Sequence, residues 1–134
     1  MTTDNSMYHV VVLGASANPE RYSNMAVKKL LEHGYSITPV NPSGIEIHGV
    51  ASATSLKEIS SPVHTLTVYV NGARSNEMRK DVIELKPKRV IFNPGAENPD
   101  LEEACAAAGI ATENACTLVL LNSGQFNDLG AVRK

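Results

Sequence analysis

The sequence has no tryptophan, and only 4% of its residues are aromatic. A stacking platform for single-stranded nucleic acid needs several aromatic faces, so that class is disfavoured. Neither charge sign dominates, with 12 Lys plus Arg against 14 Asp plus Glu and a net charge of −2. The dense positive field that nucleic acid and anionic membranes require is missing, and neither is expected as a partner. Two cysteines cannot make a disulfide framework, and C-x-x-C does not occur. No apolar run approaches the roughly 18 residues of a membrane span. The opening MTTDNS carries an acid and no apolar stretch, so no signal peptide is expected there. The histidines, His9, His33, His48 and His64, show no H-x-x-x-H or H-E-x-x-H spacing, and no metal site is expected. What is there is an ordinary globular mixture: 134 residues, 43% hydrophobic and 19% charged. These features predict a soluble cytoplasmic protein folded as one domain over residues 1–134, with residues 1–6 flexible.

Apolar runs punctuate the chain. They are residues 10–13 (VVVL), 37–40 (ITPV), 66–70 (LTVYV), 90–92 (VIF) and 117–121 (TLVLL). None alternates strictly, as befits strands buried on both faces of a parallel sheet. Residues 45–50 offer one further short strand. Helical stripes lie between the runs. Ala26, Val27, Leu30 and Leu31 form one that ends at Gly34, with Ser23 or Asn24 as N-cap. Met78, Val82 and Leu85 form a second before Pro87. Leu101, Ala104, Cys105 and Ala108 form a third, stopped by Gly109. Ser55 is placed to cap a short helix through Leu56 and Ile59. Strands alternating with helices predict an α/β fold. It is a doubly wound, mainly parallel sheet of about five strands with helices on both faces.

Ligands of such sheets bind outside the carboxyl ends of the strands. The segments expected there are rich in Gly, Asn, Ser and Pro, which is also the ordinary composition of loops. The first, from Gly14 to Ser23, outlines a phosphate site. Gly14 permits close backbone approach, loop amides and a helix N-terminus offer donors, Ser16 adds a hydroxyl and Arg21 a bidentate cation. Yet Gly14-Ala15-Ser16-Ala17-Asn18-Pro19 is not G-x-G-x-x-G, and no acid closes the second strand at Pro39-Val40-Asn41-Pro42. NAD is therefore disfavoured.

The motifs G-A-S-x-x-P-x-R-x-S, P-V-N-P and N-P-G-A-E-N, in this order and at these separations, run through nearly the whole chain, from about Val10 to Leu121. Together they resemble the CoA-binding domain family of the succinyl-CoA synthetase α-subunit type, above all its small stand-alone bacterial members. The resemblance implies a Rossmann-like domain whose ligand is CoA or an acyl-CoA. It implies that Gly14, Ala15, Ser16, Arg21 and Ser23 form the phosphate loop. Val40, Asn41 and Pro42 are implied to lie along the adenosine, Tyr69 and Val70 near the adenine, and Asn93, Pro94 and Gly95 beside the pantetheine path. Two positions depart from the family. Ser43 stands where many relatives carry Lys, and Asn71 where many carry Pro. Nothing matches the phosphohistidine loop of the synthetase, so its activity is not implied.

No catalytic residue stands out. Glu97 is the best-placed acid, but it serves equally to bias the start of the next helix. Cys105 falls on an apolar stripe and is expected in the core. Cys116 is expected to pack, with a mixed disulfide to the CoA thiol as the alternative. The leading expectation is a non-catalytic carrier, sensor or regulatory protein. The alternatives are an enzyme acting on an acyl-CoA or adenine nucleotide, and an interaction module with a vestigial CoA site. A homodimer or another protein partner is compatible with all three.

Overall fold

The computed structural model describes residues 5, 8–60 and 62–127. The flexibility expected of residues 1–6 lies outside them except at Asn5, whose Nδ2 donates to the His33 carbonyl at 2.6 Å. Five parallel strands form one sheet: β1 (His9–Leu13), β2 (Ser36–Val40), β3 (Thr65–Val68), β4 (Arg89–Phe92) and β5 (Ala111–Asn114), in the order β2-β1-β3-β4-β5. Val11 sits opposite both Thr38 and Leu66, which sets the register at the centre. The chain runs outward from β1 to β2 and then returns to β3 on the other side. The topological switch point therefore lies between β1 and β3, and all the carboxyl ends share one rim.

Alternation along the strands divides the core. Val10, Val12 and Ile91 point to the side where Val27, Leu30 and Leu121 pack, from α1 (Tyr22–Glu32) and α5 (Thr117–Asn122). Val11, Leu13, Leu66, Val68, Val90 and Phe92 point to the other side. There they meet Val82 of α3 (Arg79–Leu85), Leu101 and Cys105 of α4 (Pro99–Ala107), and Leu56 in a 3₁₀ turn. The α/β, Rossmann-like, doubly wound reading holds.

Its fifth strand was misplaced. TLVLL forms α5, and the edge strand is the polar segment ATEN. An edge strand pairs on one side only and is half-buried here, so it does not need an apolar run. Thr117 and Leu121, four residues apart, are the buried pair of the helix. A five-residue apolar run cannot reveal that period. Residues 45–50 form no strand, only the isolated bridge between Ile47 and Val50. The stripe that starts at Met78 is interrupted there, because Met78 joins α2 (Gly72–Glu77) to α3. The N-cap of α1 is Arg21, so Ser23 and Asn24 lie within its first turn. No helix among the described residues is long and apolar enough to cross a membrane.

The amino-terminal end of the sheet holds buried titratable groups. His64 is buried beside the Tyr8 ring, 4.6 Å away between centroids, and its Nδ1 lies 2.9 Å from Thr65 Oγ1. Burial, then the charges of Arg89 and Lys88, push its pKa down to about 4 from the ordinary 6.5. Burial also lowers His9. Unfolded His64 takes up a proton that the folded state resists. Its contribution is complete above the unfolded pKa and is lost as pH falls toward the folded one. Urea midpoints of the wild type are expected to drop between about pH 7 and about pH 5, and less steeply in His64→Gln. Equal slopes in the two proteins would assign the acid sensitivity to other groups.

Candidate functional site

Gly14 follows the last residue of β1 and turns the chain at φ +88°. A Cβ built on it would lie 2.9 Å from Val70 Cγ1, 3.2 Å from Val70 N and 3.3 Å from the Tyr69 carbonyl carbon. Glycine is required here both by the dihedral and by the closeness of the strand β3 exit. Gly14 lines both of two recesses on this rim and so marks the ridge between them.

The first recess is a slot of about 80 Å³. Its walls are mostly apolar: Leu13, Val40, Pro42, Leu56, Val70 and Met78. Thr54, Ser55, Arg74 and Asp81 supply its polar lining. The second is a groove of about 330 Å³, lined by Gly14, Ser16, Arg21, Tyr22, Ser23, Tyr69 and Pro94. Tyr69 and Val70 were expected together near one part of a ligand. Successive residues at a strand end point to opposite faces, so Val70 enters the slot and Tyr69 the groove.

The donors of the first loop divide into two sets. The N–H groups of Gly14 and Ala15 both donate to the Val40 carbonyl, at 3.2 and 3.1 Å. They knit β1 to β2 and are not free for a ligand. Arg21, the N-cap of α1, gives no capping side-chain bond. Among the described residues, the N–H groups of Ser16, Ala17, Tyr22 and Ser23 have no protein partner. The start of this 11-residue helix thus presents open donors where Arg21, Tyr22 and Ser23 border the groove.

Several predicted residues prove to be supports. Asn41 Nδ2 donates to the Ala15 carbonyl at 2.8 Å, and its Oδ1 accepts from Ser43 N and Ser43 Oγ at 2.8 and 2.6 Å. Asn93 is buried. Its Nδ2 donates to Thr67 Oγ1 at 2.7 Å and to the Val68 carbonyl at 3.0 Å, and its Oδ1 accepts from Thr117 N at 2.8 Å. That side chain ties β3, β4 and the start of α5 together and does not face the rim. Gly95, exposed with φ +90°, and buried Ala15 line neither recess. Asn71, the departure from proline, caps α2 by accepting from Arg74 N at 2.9 Å.

Sequence reasoning missed Thr54, Ser55, Leu56, Arg74, Met78 and Asp81 as slot residues. They come from segments far apart in sequence, and no local motif links them. It also missed Asn98, whose side chain caps α4 and reaches back to Ser75 Oγ at 2.7 Å. The N-P-G-A-E-N motif contained that signal as an asparagine just before Pro99.

The reactive candidates are quiet. Glu97 Oε1 accepts from Gly95 N at 3.0 Å and closes its own loop. Cys105 is fully buried, and burial, then Glu102, push its thiol up to about 11. Cys116 is half-buried at the N-cap of α5, not before a strand as expected. Burial pushes the Tyr69 hydroxyl up to about 12, and it points toward Thr67 and Thr117 without completing a hydrogen bond to either. Among the described residues, no group of three or more His, Cys, Asp or Glu is placed to hold a metal ion.

A family described as the CoA binding domain matches residues 8–122. The crystal structure of an uncharacterized protein superposes with a TM-score of 0.85 at 37% identity, over 91% of this chain and 100% of that one. The uncharacterized protein YneT of Bacillus subtilis (strain 168) is 42% identical over 60 residues, which are 45% of this chain and 44% of that relative. A dinucleotide forming acetyl-coenzyme A synthetase 1 from Ca. Korarchaeum cryptofilum shares the fold. It has 20% identity and a TM-score of 0.68, over 84% of this chain but only 26% of that protein.

Proposed function

The chain belongs to the CoA binding domain family, and from that premise we propose that it binds CoA or an acyl-CoA across the Gly14 ridge. In this reading the adenosine lies in the slot, against Val40, Pro42 and Val70. The diphosphate crosses Gly14 toward Arg21 and the open N–H groups at the start of α1. The pantetheine leaves along Tyr69 and Pro94. The observation that carries the reading is the ridge itself. A position that cannot carry a Cβ separates an apolar slot from a groove with open donors and a cation.

We propose a binding role, as a cytoplasmic carrier, sensor or regulatory protein, and not a catalytic one. The groove residues include no carboxylate, imidazole or thiol. Its phenols belong to Tyr22 and Tyr69, and burial raises the Tyr69 hydroxyl to about 12, so that group stays protonated at neutral pH. Arg21 and backbone donors suit holding a phosphate better than moving a proton.

Calorimetric titration with CoA and NAD tests this. CoA is expected to bind, with NAD weaker or silent. Arg21→Ala is expected to weaken CoA by about 10- to 100-fold, the worth of a charge-assisted hydrogen bond. Unchanged affinity in that variant would remove the groove from the site. Turnover of acyl-CoA by the purified protein would overturn the non-catalytic assignment.

A further inference from the structure

We infer that Arg74 is the residue by which this protein distinguishes CoA from dephospho-CoA, its guanidinium binding the phosphomonoester on the ribose. The inference rests on the CoA reading above and assigns the phosphate that this reading does not give to Arg21.

Arg74 lies on α2 and lines the slot together with Val40, Pro42 and Val70. It is the only cationic residue among those lining residues. Its backbone position is held, because Arg74 N donates to Asn71 Oδ1. Among the described residues its guanidinium has no hydrogen-bond or ion-pair partner. Two neighbouring polar side chains, Ser43 and Thr54, are otherwise engaged, whereas Ser55 on the slot wall makes no capping bond with its side chain. Ser43 Oγ donates to Asn41 Oδ1 at 2.6 Å, so the loop after β2 offers neither a cation nor a free hydroxyl at that position. Thr54 donates from N and Oγ1 to the Glu58 carboxylate at 2.8 and 2.6 Å. Asp81 lines the same slot, and its carboxylate repels an anion there, so a bound anion is favoured next to Arg74, where the guanidinium offsets that repulsion.

Arg21 and Arg74 therefore stand on opposite sides of the Gly14 ridge, one in each recess. A ligand with a single anionic group would use one of them. A ligand with a diphosphate and a separate monoester at the ribose uses both. An adenine edge against Val40, Pro42 and Val70 leaves its ribose at the slot mouth, where the arginine fork can take two oxygens of a monoester.

The test is a titration of CoA and dephospho-CoA against the wild type, Arg74→Gln, Arg74→Lys and Arg21→Ala. The wild type is expected to prefer CoA by about tenfold. Arg74→Gln should weaken CoA by about tenfold and leave dephospho-CoA within about twofold, which erases the preference. Arg74→Lys should retain part of it, and Arg21→Ala should weaken both ligands alike. Equal losses for the two ligands in Arg74→Gln, or no loss for either, would overturn this assignment while leaving the CoA reading standing. A wild type that binds neither ligand would overturn both.

Discussion

Replacing Gly14 with alanine is expected to abolish CoA binding and to lower folding stability by about 2–4 kcal/mol. Two costs combine. A φ of +88° is unfavourable for any residue with a Cβ. The added carbon also meets the backbone of Tyr69 and Val70, at 3.3 and 3.2 Å, as well as the Val70 side chain at 2.9 Å. Val70 Cγ1 can rotate away, but the backbone cannot follow easily. Tyr69 N donates to the Leu13 carbonyl at 2.9 Å and so extends the pairing of β1 with β3 up to the ridge. Relief must come from moving one loop, and either movement disturbs both recesses. Urea midpoints and calorimetric titration check the two halves separately. A variant with parental midpoint and parental affinity would remove Gly14 from the site.

Asn93→Ala is expected to cost about 2–4 kcal/mol of stability, because it strands buried partners. The Thr117 N–H loses its acceptor at the start of α5, and the Val68 carbonyl and Thr67 hydroxyl lose a shared donor. Thr67 keeps its 2.7 Å contact with Thr117 Oγ1, so the network is damaged but not emptied. Asn93→Asp discriminates further. Its carboxylate would place an oxygen against the Val68 carbonyl oxygen, acceptor against acceptor, in a buried site. Such an acid is held protonated, with a folded pKa above its unfolded value. Its deficit relative to the wild type should therefore be smallest at acid pH and grow as pH rises through the unfolded carboxylate range. Denaturant melts of both variants at several pH values measure this. The resemblance places Asn93 beside the pantetheine, whereas the hydrogen bonds make it a cross-link. A variant with unchanged stability but lost CoA affinity would restore the contact role.

The strands β1, β3 and β4 were legible because each is central and buried on both faces and so needs a dense apolar run, and the edge strand β2 was legible because Ile37, Pro39 and Val40 are still buried. The same logic failed at β5, where one pairing edge and partial burial tolerate Ala-Thr-Glu-Asn, and at Thr117–Asn122, where a short apolar run is a helix. Helices α1 and α4 were legible through their stripes, but their caps were less so. Arg21 occupies a cap position that composition assigned to Ser23 or Asn24. Asn98, with its side chain on Leu101 N, is a cap that the motif contained and the reading passed over.

By itself the sequence determined the layered α/β fold, and it singled out the rim, with the glycine and arginine of the first loop, as the place to seek a ligand. Those properties depend on local pattern: burial periodicity, a residue without a Cβ, a charge beside a helix start. The tertiary structure alone decided which way each rim side chain points. It turned Asn41 and Asn93 inward as braces, and it parted Tyr69 from Val70. It also brought Thr54, Arg74 and Asp81 to a slot shared with Val40. Such groupings arise from strand order and parallel register, which bring together residues dozens of positions apart, and periodicity along one chain segment carries no record of them.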